Sequence, residues 1–586
     1  MAVALGSVMV LLTWTLWLVV FVGLGLQPAL LLDRSGSMLR VLRTALWWGL
    51  LGALIFSIAA SVWFPLAGAT AALAGLGVLA VLALPGVALW RRRRPQALGR
   101  KPNMGRVLLM VTAAGATLYL AIAALGPVTN YDSGLYHLGA IRYAADFAAI
   151  PGLANLYFPF GYGTAHFPLA ALMTNGPWGI EGYRLVNGLI LAMAATDLGL
   201  RTVQRKPGPG FFVLAVGMTA TWVPMVALSD YWVTSPSQDS AALALCVVAS
   251  AYLTDAVFGK RTWTSAASAT IVIATSLTLI RPTMGAYLIG VLAVLLILAV
   301  RRRVPFGVLR PTAGLALGAG ALALAVTTAR DRILSGWFQY PLDLFAFGVP
   351  WQADDPTPVR EATLGFHRNP DDLWNSVEGW NWVGPWVASR AGQWETYAML
   401  ALAVLAAATV PWALRRSPAP RLGTRILASI APSALAVVVW WGFTPPSYRF
   451  AWGVLFTLLS VPSGWAIWSI TTLRKQRVLR KVNAGDVALI ALSFPVFAVI
   501  AFSALVRLDI DEMTQPYDLQ MGTAIPILIA PVPLVPVESI RLPSGLEVLQ
   551  PLESDQCWWT YPLCTPAPDP RLAPIDGQWP SGFTAN

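Results

Sequence analysis

The chain has 586 residues, of which 56% are hydrophobic and 12% charged, with a formal net charge of +12. Several apolar runs reach the about 20 residues needed to cross roughly 30 Å of hydrocarbon. This composition excludes a soluble globular enzyme, and because lipid offers the backbone no hydrogen bonds, the runs must be helices.

The first run, residues 4–29, lacks a basic n-region, is too long for the apolar core of a signal peptide and shows no convincing cleavage site, so it reads as a helix of the protein itself. Thirteen further spans are expected at 44–63, 66–90, 107–126, 181–200, 209–228, 240–258, 263–280, 283–300, 311–328, 396–413, 425–443, 450–472 and 486–506, each within a few residues. The fold class expected is therefore an all-α polytopic membrane protein of about 14 transmembrane helices. With the N-terminus outside, seven turns fall on the cytoplasmic side. They hold 28 of the 40 basic residues, including the arginine runs at 91–94 and 301–303, but only four of the 28 acidic ones, Asp33, Asp197, Asp255 and Asp486. Basic residues concentrate in cytoplasmic loops, which sets the orientation. The basic excess is thus a topological signal, and no nucleic-acid partner is needed to explain it.

Three large pieces are left outside: 127–180, 329–395 and the tail. The chain divides into a transmembrane domain, 1–506, and an extracytoplasmic segment, 507–586. All three histidines, His137, His166 and His367, lie in the first two pieces. The second carries seven tryptophans, Trp337, Trp351, Trp374, Trp380, Trp382, Trp386 and Trp394. Interfacial anchoring accounts for some of these, while so many in one loop also suit a sugar-stacking surface, for which Trp351 and Trp382 are candidates. The tail contains "CWWTYPLC", in which Cys557 and Cys564 can form a disulfide in the compartment the topology assigns. The stretch "TPAPDPRLAP" suggests a small irregular cap. Cys246 falls inside a span and reads as core. No repeat of 20 to 50 residues is found.

The first outer piece begins "NYDSGLYHLGAIRYAADFAAIPG", residues 130–152. Asp132 is placed to cap a helix from Ser133 to Ala149, ended by Pro151 and Gly152. Such a helix is amphipathic and too short to span, so it is expected along the outer interface. Tyr136, Gly139 and Tyr143 share the side below Asp132, whereas His137 points elsewhere. Asp132 is thus either a cap alone or a carboxylate at a site. Other polar residues converge on the same leaflet: Asp230 and Asp239 in "SDYWVTSPSQDS", Arg281 in "LIRPT" and Arg449 in "FTPPSYRFAWG". Charges so close to hydrocarbon are costly and face a cavity or one another. An arginine there can also simply snorkel, but its placement beside carboxylates favours a shared site. No P-loop, no dinucleotide fingerprint, no HExxH and no zinc-type cysteine spacing competes.

A multi-span chain with an acidic residue in its first large outer loop resembles the GT-C superfamily of membrane glycosyltransferases. More closely, "YDSGLYHLGAIRYAADFAAIPGLANLYFPFGYGTAHF", "SGWFQYPLDLFAFGVPW", "TPPSYRFAWG" and "DQCWWTYPLCTP" are similar to a group of bacterial membrane proteins related to that superfamily. The matches run from about residue 107 to the C-terminus. The resemblance implies a GT-C-like architecture in the bacterial plasma membrane. It also implies transfer of a sugar from a polyprenyl-phosphate lipid to a glycan, lipid or protein acceptor on the extracytoplasmic face. Asp132 would be the catalytic base, with His137 and Asp239 as further catalytic candidates. Arg449 and Arg281 would hold the donor phosphate, and Tyr136, Trp351 and Trp382 would line the substrate loop. GT-C loops often carry paired acidic residues, whereas this one has Asp132 alone with His137 nearby. A divalent cation is admitted as cofactor, but no metal ligand is assigned.

Three rival readings share much of this pattern. A lipid-linked saccharide transporter or flippase also needs many spans and intramembrane charges, but it calls for broken helices and polar residues at the bilayer midplane. A polysaccharide polymerase or ligase would share the donor class. A non-catalytic assembly partner would keep the fold alone.

Overall fold

The computed structural model describes residues 1–32, 37–82, 103–174, 176–204, 208–259, 263–416, 422–474, 484–508, 510–521 and 523–585. Parts of the expected basic turns, including the arginine run at 91–94, and residues 83–90 of the third expected span lie outside them.

The helices follow the apolar runs. α1 is Ala2–Leu32, α2 Met38–Trp63, α3 Thr70–Leu82, α4 Met104–Ala123, α5 Leu138–Asp146 and α6 His166–Leu172. α7 is Val186–Thr202, α8 Pro209–Ala227, α9 Gln238–Phe258, α10 Trp263–Ile280, α11 Gly285–Arg301 and α12 Phe306–Leu334. α13 is Thr357–Arg368, α14 Val383–Ala391, α15 Trp394–Arg416, α16 Leu422–Phe443, α17 Trp452–Arg474 and α18 Ala484–Val506. Twelve helices among the described residues are long and apolar enough to cross a membrane. The expectation of about 14 spans is met in twelve places. Expected span 181–200 is α7, only 17 residues long and preceded by the 3-10 segment Gly179–Leu185; the described part of span 66–90 ends at Leu82.

Helices apolar on every side are either interior or lipid-facing, and burial separates the two kinds. α9 is 89% buried over its most apolar stretch, whereas α12 and α15 are 17% and 11% buried, leaving most of their side chains on the outside of the bundle. Close contact relies on small residues, as expected where lipid removes the hydrophobic drive for helix association. A Cβ on Gly49 of α2 would lie 1.8 Å from the Phe21 carbonyl oxygen of α1.

Asp197 and Asp255, expected at a cytoplasmic turn, are instead part of one ion network. Asp197, fully buried on α7, accepts from Arg43 Nε of α2 at 3.0 Å, Arg201 Nε at 2.7 Å, Trp47 Nε1 at 2.7 Å and the Tyr252 hydroxyl at 2.6 Å. Arg201 also reaches Asp255 of α9 at 2.6 Å. Further basic residues at this end serve helix termini. Arg302 donates to the Ala256 and Gly259 carbonyls, and Arg106 to those of Thr202 and Gln204, where the unpaired C-terminal carbonyls of helices favour cations.

The other end gathers the three expected outer pieces. Asn155 Nδ2 donates at 3.1 Å to the carbonyls of both Trp351 and Phe583, and Arg571 of the tail pairs with Asp354 at 2.6 Å. The tail departs from an all-α, irregular expectation. β1 Gln515–Met521 pairs antiparallel with β2 Thr523–Ile529, β3 Val537–Arg541 with β4 Glu547–Pro551, and β5 Ala573–Pro574 with β6 Phe583–Thr584. Short paired strands satisfy the backbone of a segment too rich in proline for helices. The tail is anchored on the bundle where Ala530 N–H donates to the Leu125 carbonyl at 2.7 Å and Arg184 Nη2 reaches the Ala530 carbonyl at 2.8 Å.

These contacts put segment 329–395 and the tail on one side; with the orientation expected from the basic turns, both should be reachable from outside the cell. Single cysteines at Asn375 and Ser544, both exposed, should label with an impermeant thiol reagent in intact cells when the native disulfide is kept and Cys246 is replaced. Protection of both until lysis would reverse the orientation. The neighbouring Ser376 is buried and should stay unlabelled.

Candidate functional site

The expected helix after Asn130 forms with three differences. Asp132 is not its cap: its own backbone is already helical, and its N–H donates to Asn130 Oδ1 at 3.0 Å, so Asn130 holds the capping position. The helix ends at Asp146, three residues before Ala149, where Phe147 turns extended. It is not a surface helix either. Leu138, Ala140, Ile141, Tyr143, Ala144 and Ala145 are buried, because the helix packs on α6 and beneath the tail.

Freed from capping, the half-buried Asp132 carboxylate pairs with Arg449 Nη1 at 2.6 Å, across 317 residues of chain. Arg449 sits in the 3-10 turn Tyr448–Phe450 that leads into α17. The Phe450 ring takes guanidiniums from two directions in sequence: Arg449 Cζ lies 4.9 Å and Arg281 Cζ 4.6 Å from its centroid. Arg281, at the end of α10, forms an ion pair with Asp239 in the first turn of α9. Asp239 also accepts a 3.0 Å hydrogen bond from the Ser237 hydroxyl. The segment preceding α6 is pinned beside Arg281, since Thr164 Oγ1 and Ala165 N–H donate to the Ile280 and Leu279 carbonyls.

His137 also belongs to this cluster. Its Nδ1 is 3.1 Å from Ser133 Oγ, and its ring meets Tyr136 edge-on at 4.5 Å and Phe167 at 5.2 Å. On a regular α-helix positions five apart diverge by roughly 140°, which is why His137 was expected to face away from Asp132. From Ser133 to His137 the backbone instead makes a π-turn, Leu138 N–H donating to Ser133 O. That wider turn brings positions five apart toward one side. His367 of α13 approaches from the second outer piece, its ring edge-on to Phe450 at 5.2 Å.

Electrostatics assign distinct states to these groups. Burial alone would raise the Asp132 carboxyl, but Arg449, His137 and His367 outweigh it and hold it below its ordinary value. Burial pushes His137 down to about 4, against the pull of Asp132. It also pushes His367 down to about 3, with Arg449 and Arg390 adding to the effect. Burial and the Asp132 charge together raise the Tyr136 phenol well above its usual value. At neutral pH the site therefore holds an ionised Asp132, neutral histidines, a protonated Tyr136 and charged arginines. Among the described residues His166, fully buried, has no hydrogen-bond partner on either ring nitrogen, and burial lowers it to about 3.

The remaining candidates lie apart from this cluster. Trp351 spends its Nε1 on the Arg332 carbonyl at 3.0 Å, in the seam where Asn155 and Phe583 meet. Trp382 is a correction: at 2% exposure it has no free face for a sugar, and it packs against Trp380, Trp386 and Trp441 with the Arg368 guanidinium over it. The exposed tryptophans of this segment are Trp374 and Trp380. Tyr136 is half-buried among Tyr162, Phe167 and His137. A narrow cleft lined by Ser61, Ala144, Phe160 and Arg330 borders the cluster beyond Tyr162 and Phe167, but neither Asp132 nor Arg449 lines it. Among the described residues no three of His, Cys, Asp and Glu stand together as metal ligands.

Phe450 and Asn130 were not singled out from the sequence, and His367 was read only as an outer-piece histidine with no role assigned. Asn130 had a readable signal, a good capping residue two positions before Asp132. Phe450 had none, because its contact with two guanidiniums exists only once separate helices meet.

Residues 8–456, about three-quarters of the chain and the whole Asp132–Arg449–Phe450 cluster, match the family model described as a domain of unknown function, DUF8201. The chain belongs to this family. No curated protein and no solved structure matches it. The part of the chain that matches the DUF8201 model ends before the tail, so the Cys557–Cys564 disulfide loop lies beyond it.

Proposed function

We propose that this protein is a membrane glycosyltransferase of GT-C type, transferring a sugar from a polyprenyl-phosphate donor to an envelope glycan, lipid or protein at the extracytoplasmic surface. The observation that carries the reading is the ionised Asp132 held by Arg449, with Arg281 and Phe450 beside it, where long apolar helices end. Asp132 accepts the proton of the acceptor hydroxyl as that oxygen bonds to the anomeric carbon. The bond from the anomeric carbon to the phosphate oxygen breaks, and the lipid phosphate leaves with the electron pair. The transition state is oxocarbenium-like, so a positioned carboxylate of low pKa is basic enough. Arg449 exchanges its Asp132 contact for the leaving phosphate, whose oxygens match the guanidinium fork. Arg281, against the same Phe450 ring, adds positive field. His137, neutral and bonded to Ser133, orients the turn rather than carrying charge.

The test is turnover by purified protein with polyprenyl-phosphate sugars, read by mass spectrometry of the acceptor and of the released lipid phosphate. Failure of every such donor alongside demonstrated lipid movement across vesicles would replace the reading with a transporter. Arg449→Lys keeps the charge but loses the planar fork, so donor use should fall roughly tenfold or more while the protein stays folded. The pH profile follows from the lowered Asp132 value. The Asp132–Arg449 pair contributes stability above the unfolded aspartate value of about 3.9 and loses it as pH falls through the lower folded value. Activity should therefore stay flat from pH 7 down to about 5. An acid limb centred near pH 6 would rule out Asp132 as the titrating base.

A further inference from the structure

We propose that the disulfide-closed loop of the tail is a working part of the site, and that Trp558 and Gln556 are positioning residues that hold the Asp132 turn in its π geometry. In a regular α-helix the Gly134 carbonyl would receive the Leu138 N–H. Here the Gly134 carbonyl takes the Trp558 N–H at 2.8 Å, and Leu138 N–H goes to Ser133 O instead. The tail thus occupies the acceptor that a regular turn would use. The Trp558 ring lies so close to Gly134 that a Cβ there would be 2.5 Å from it, and 2.9 Å from Gln556 Nε2. π-turns are rare and persist where surrounding contacts favour them, often at functional sites.

The loop grips the helix at both ends. Gln556 Nε2 donates to the Tyr131 carbonyl at 2.8 Å, next to Asp132. About three turns further on, Leu563 N–H donates to the Tyr143 hydroxyl at 3.0 Å, and Arg142 donates to the Trp559 carbonyl at 3.2 Å with its guanidinium 4.1 Å from the Tyr561 ring centroid. Cys557 and Cys564 close the segment that makes most of these contacts, and Leu549 of β4 ties it to the tail through hydrogen bonds with Leu563 and Thr565. Without the grip the turn is free to return to α geometry, which rotates His137 away from Asp132 and shifts the carboxylate against Arg449. The catalytic consequence rests on the role proposed for Asp132; the geometric one does not.

The test uses full-length protein in detergent or nanodiscs and two readouts. Hydrogen–deuterium exchange should accelerate at least tenfold in peptides covering 131–146, with peptides of α9 unchanged, after phosphine reduction of the folded protein and in Trp558→Ala. Trp558→Phe should stay near wild type. Gly134→Ala should resemble Trp558→Ala, and the double variant should be no worse than either single one, because both disturb the same packing of the Trp558 ring on Gly134, which holds the backbone N–H in place. In turnover, kcat should fall at least tenfold with KM for the lipid-linked sugar unchanged, since the arginines are untouched. Unchanged exchange at 131–146 under both reduction and Trp558→Ala would overturn the proposal, as would faster exchange spread evenly over the bundle. Local exchange changes in a wild-type protein that transfers no sugar would leave the clamp standing and reject the glycosyltransferase reading.

Discussion

Asp132→Asn should leave the protein in the membrane at wild-type abundance while lowering sugar transfer by roughly 10²- to 10⁴-fold, the range for loss of a general base. The two effects differ greatly in size. Asn130 provides the cap, so the substitution costs no helix terminus. Arg449 loses its charged partner, but both side chains keep about a fifth of their surface in solvent, at 21% and 18%. The stability loss is then on the order of 1 kcal/mol, against about 3–5 kcal/mol of lost transition-state stabilisation at 1.36 kcal/mol per tenfold change in rate. Asp132→Glu should retain part of the activity if the longer arm still reaches the acceptor. The measurement is complementation of a deletion strain by variants matched for membrane abundance, followed by turnover. Full activity of Asp132→Asn would move the base to Asp239. Loss explained entirely by abundance would make Asp132 a structural partner of Arg449 and no more.

The largest stability effect is expected far from this site. Asp197→Ala should destabilise the protein by about 3–5 kcal/mol, the cost of leaving buried charge without its partner. Arg43 and Arg201 would face each other across the gap, with only Asp255 left to Arg201, and the Trp47 and Tyr252 donors would lose their acceptor. Asp197→Asn keeps an acceptor for part of this set and should fall between. Thermal unfolding in detergent measures both. An Asp197→Ala melting temperature equal to that of wild type would show that the network contributes nothing to holding α2, α7 and α9 together.

The two sites differ in how much of them was legible before folding. Membrane helices are readable because lipid leaves a backbone no alternative to its own hydrogen bonds, so apolar runs such as 209–228 and 263–280 mark them directly, and clusters of arginine mark their ends. Where that signal weakened, so did the reading. α7 carries Asp197 among apolar residues and begins only after a 3-10 segment. Asp197 was counted with the cytoplasmic turn at the end of span 181–200, because nothing local reveals that Arg43, 154 positions earlier, lies against it. In the tail, frequent prolines pointed to irregular structure, and strand pairing appears only through partners such as Gln515 and Ile529.

The chain by itself determined that this is a bundle of membrane helices, that Asp132, Asp239, Arg281 and Arg449 stand at helix ends, and that Cys557 and Cys564 were available to each other. Those features follow from local composition and spacing. Only the tertiary structure decided that Asn130, not Asp132, caps the helix, that Arg449 reaches Asp132, that Phe450 contacts two guanidiniums and that a π-turn re-aims His137. The physical reason is the same in each case. A buried charge takes whichever partner the packed helices supply, and a helical turn departs from its regular hydrogen bonds when a distant donor, here Trp558 N–H, occupies the carbonyl it would have used.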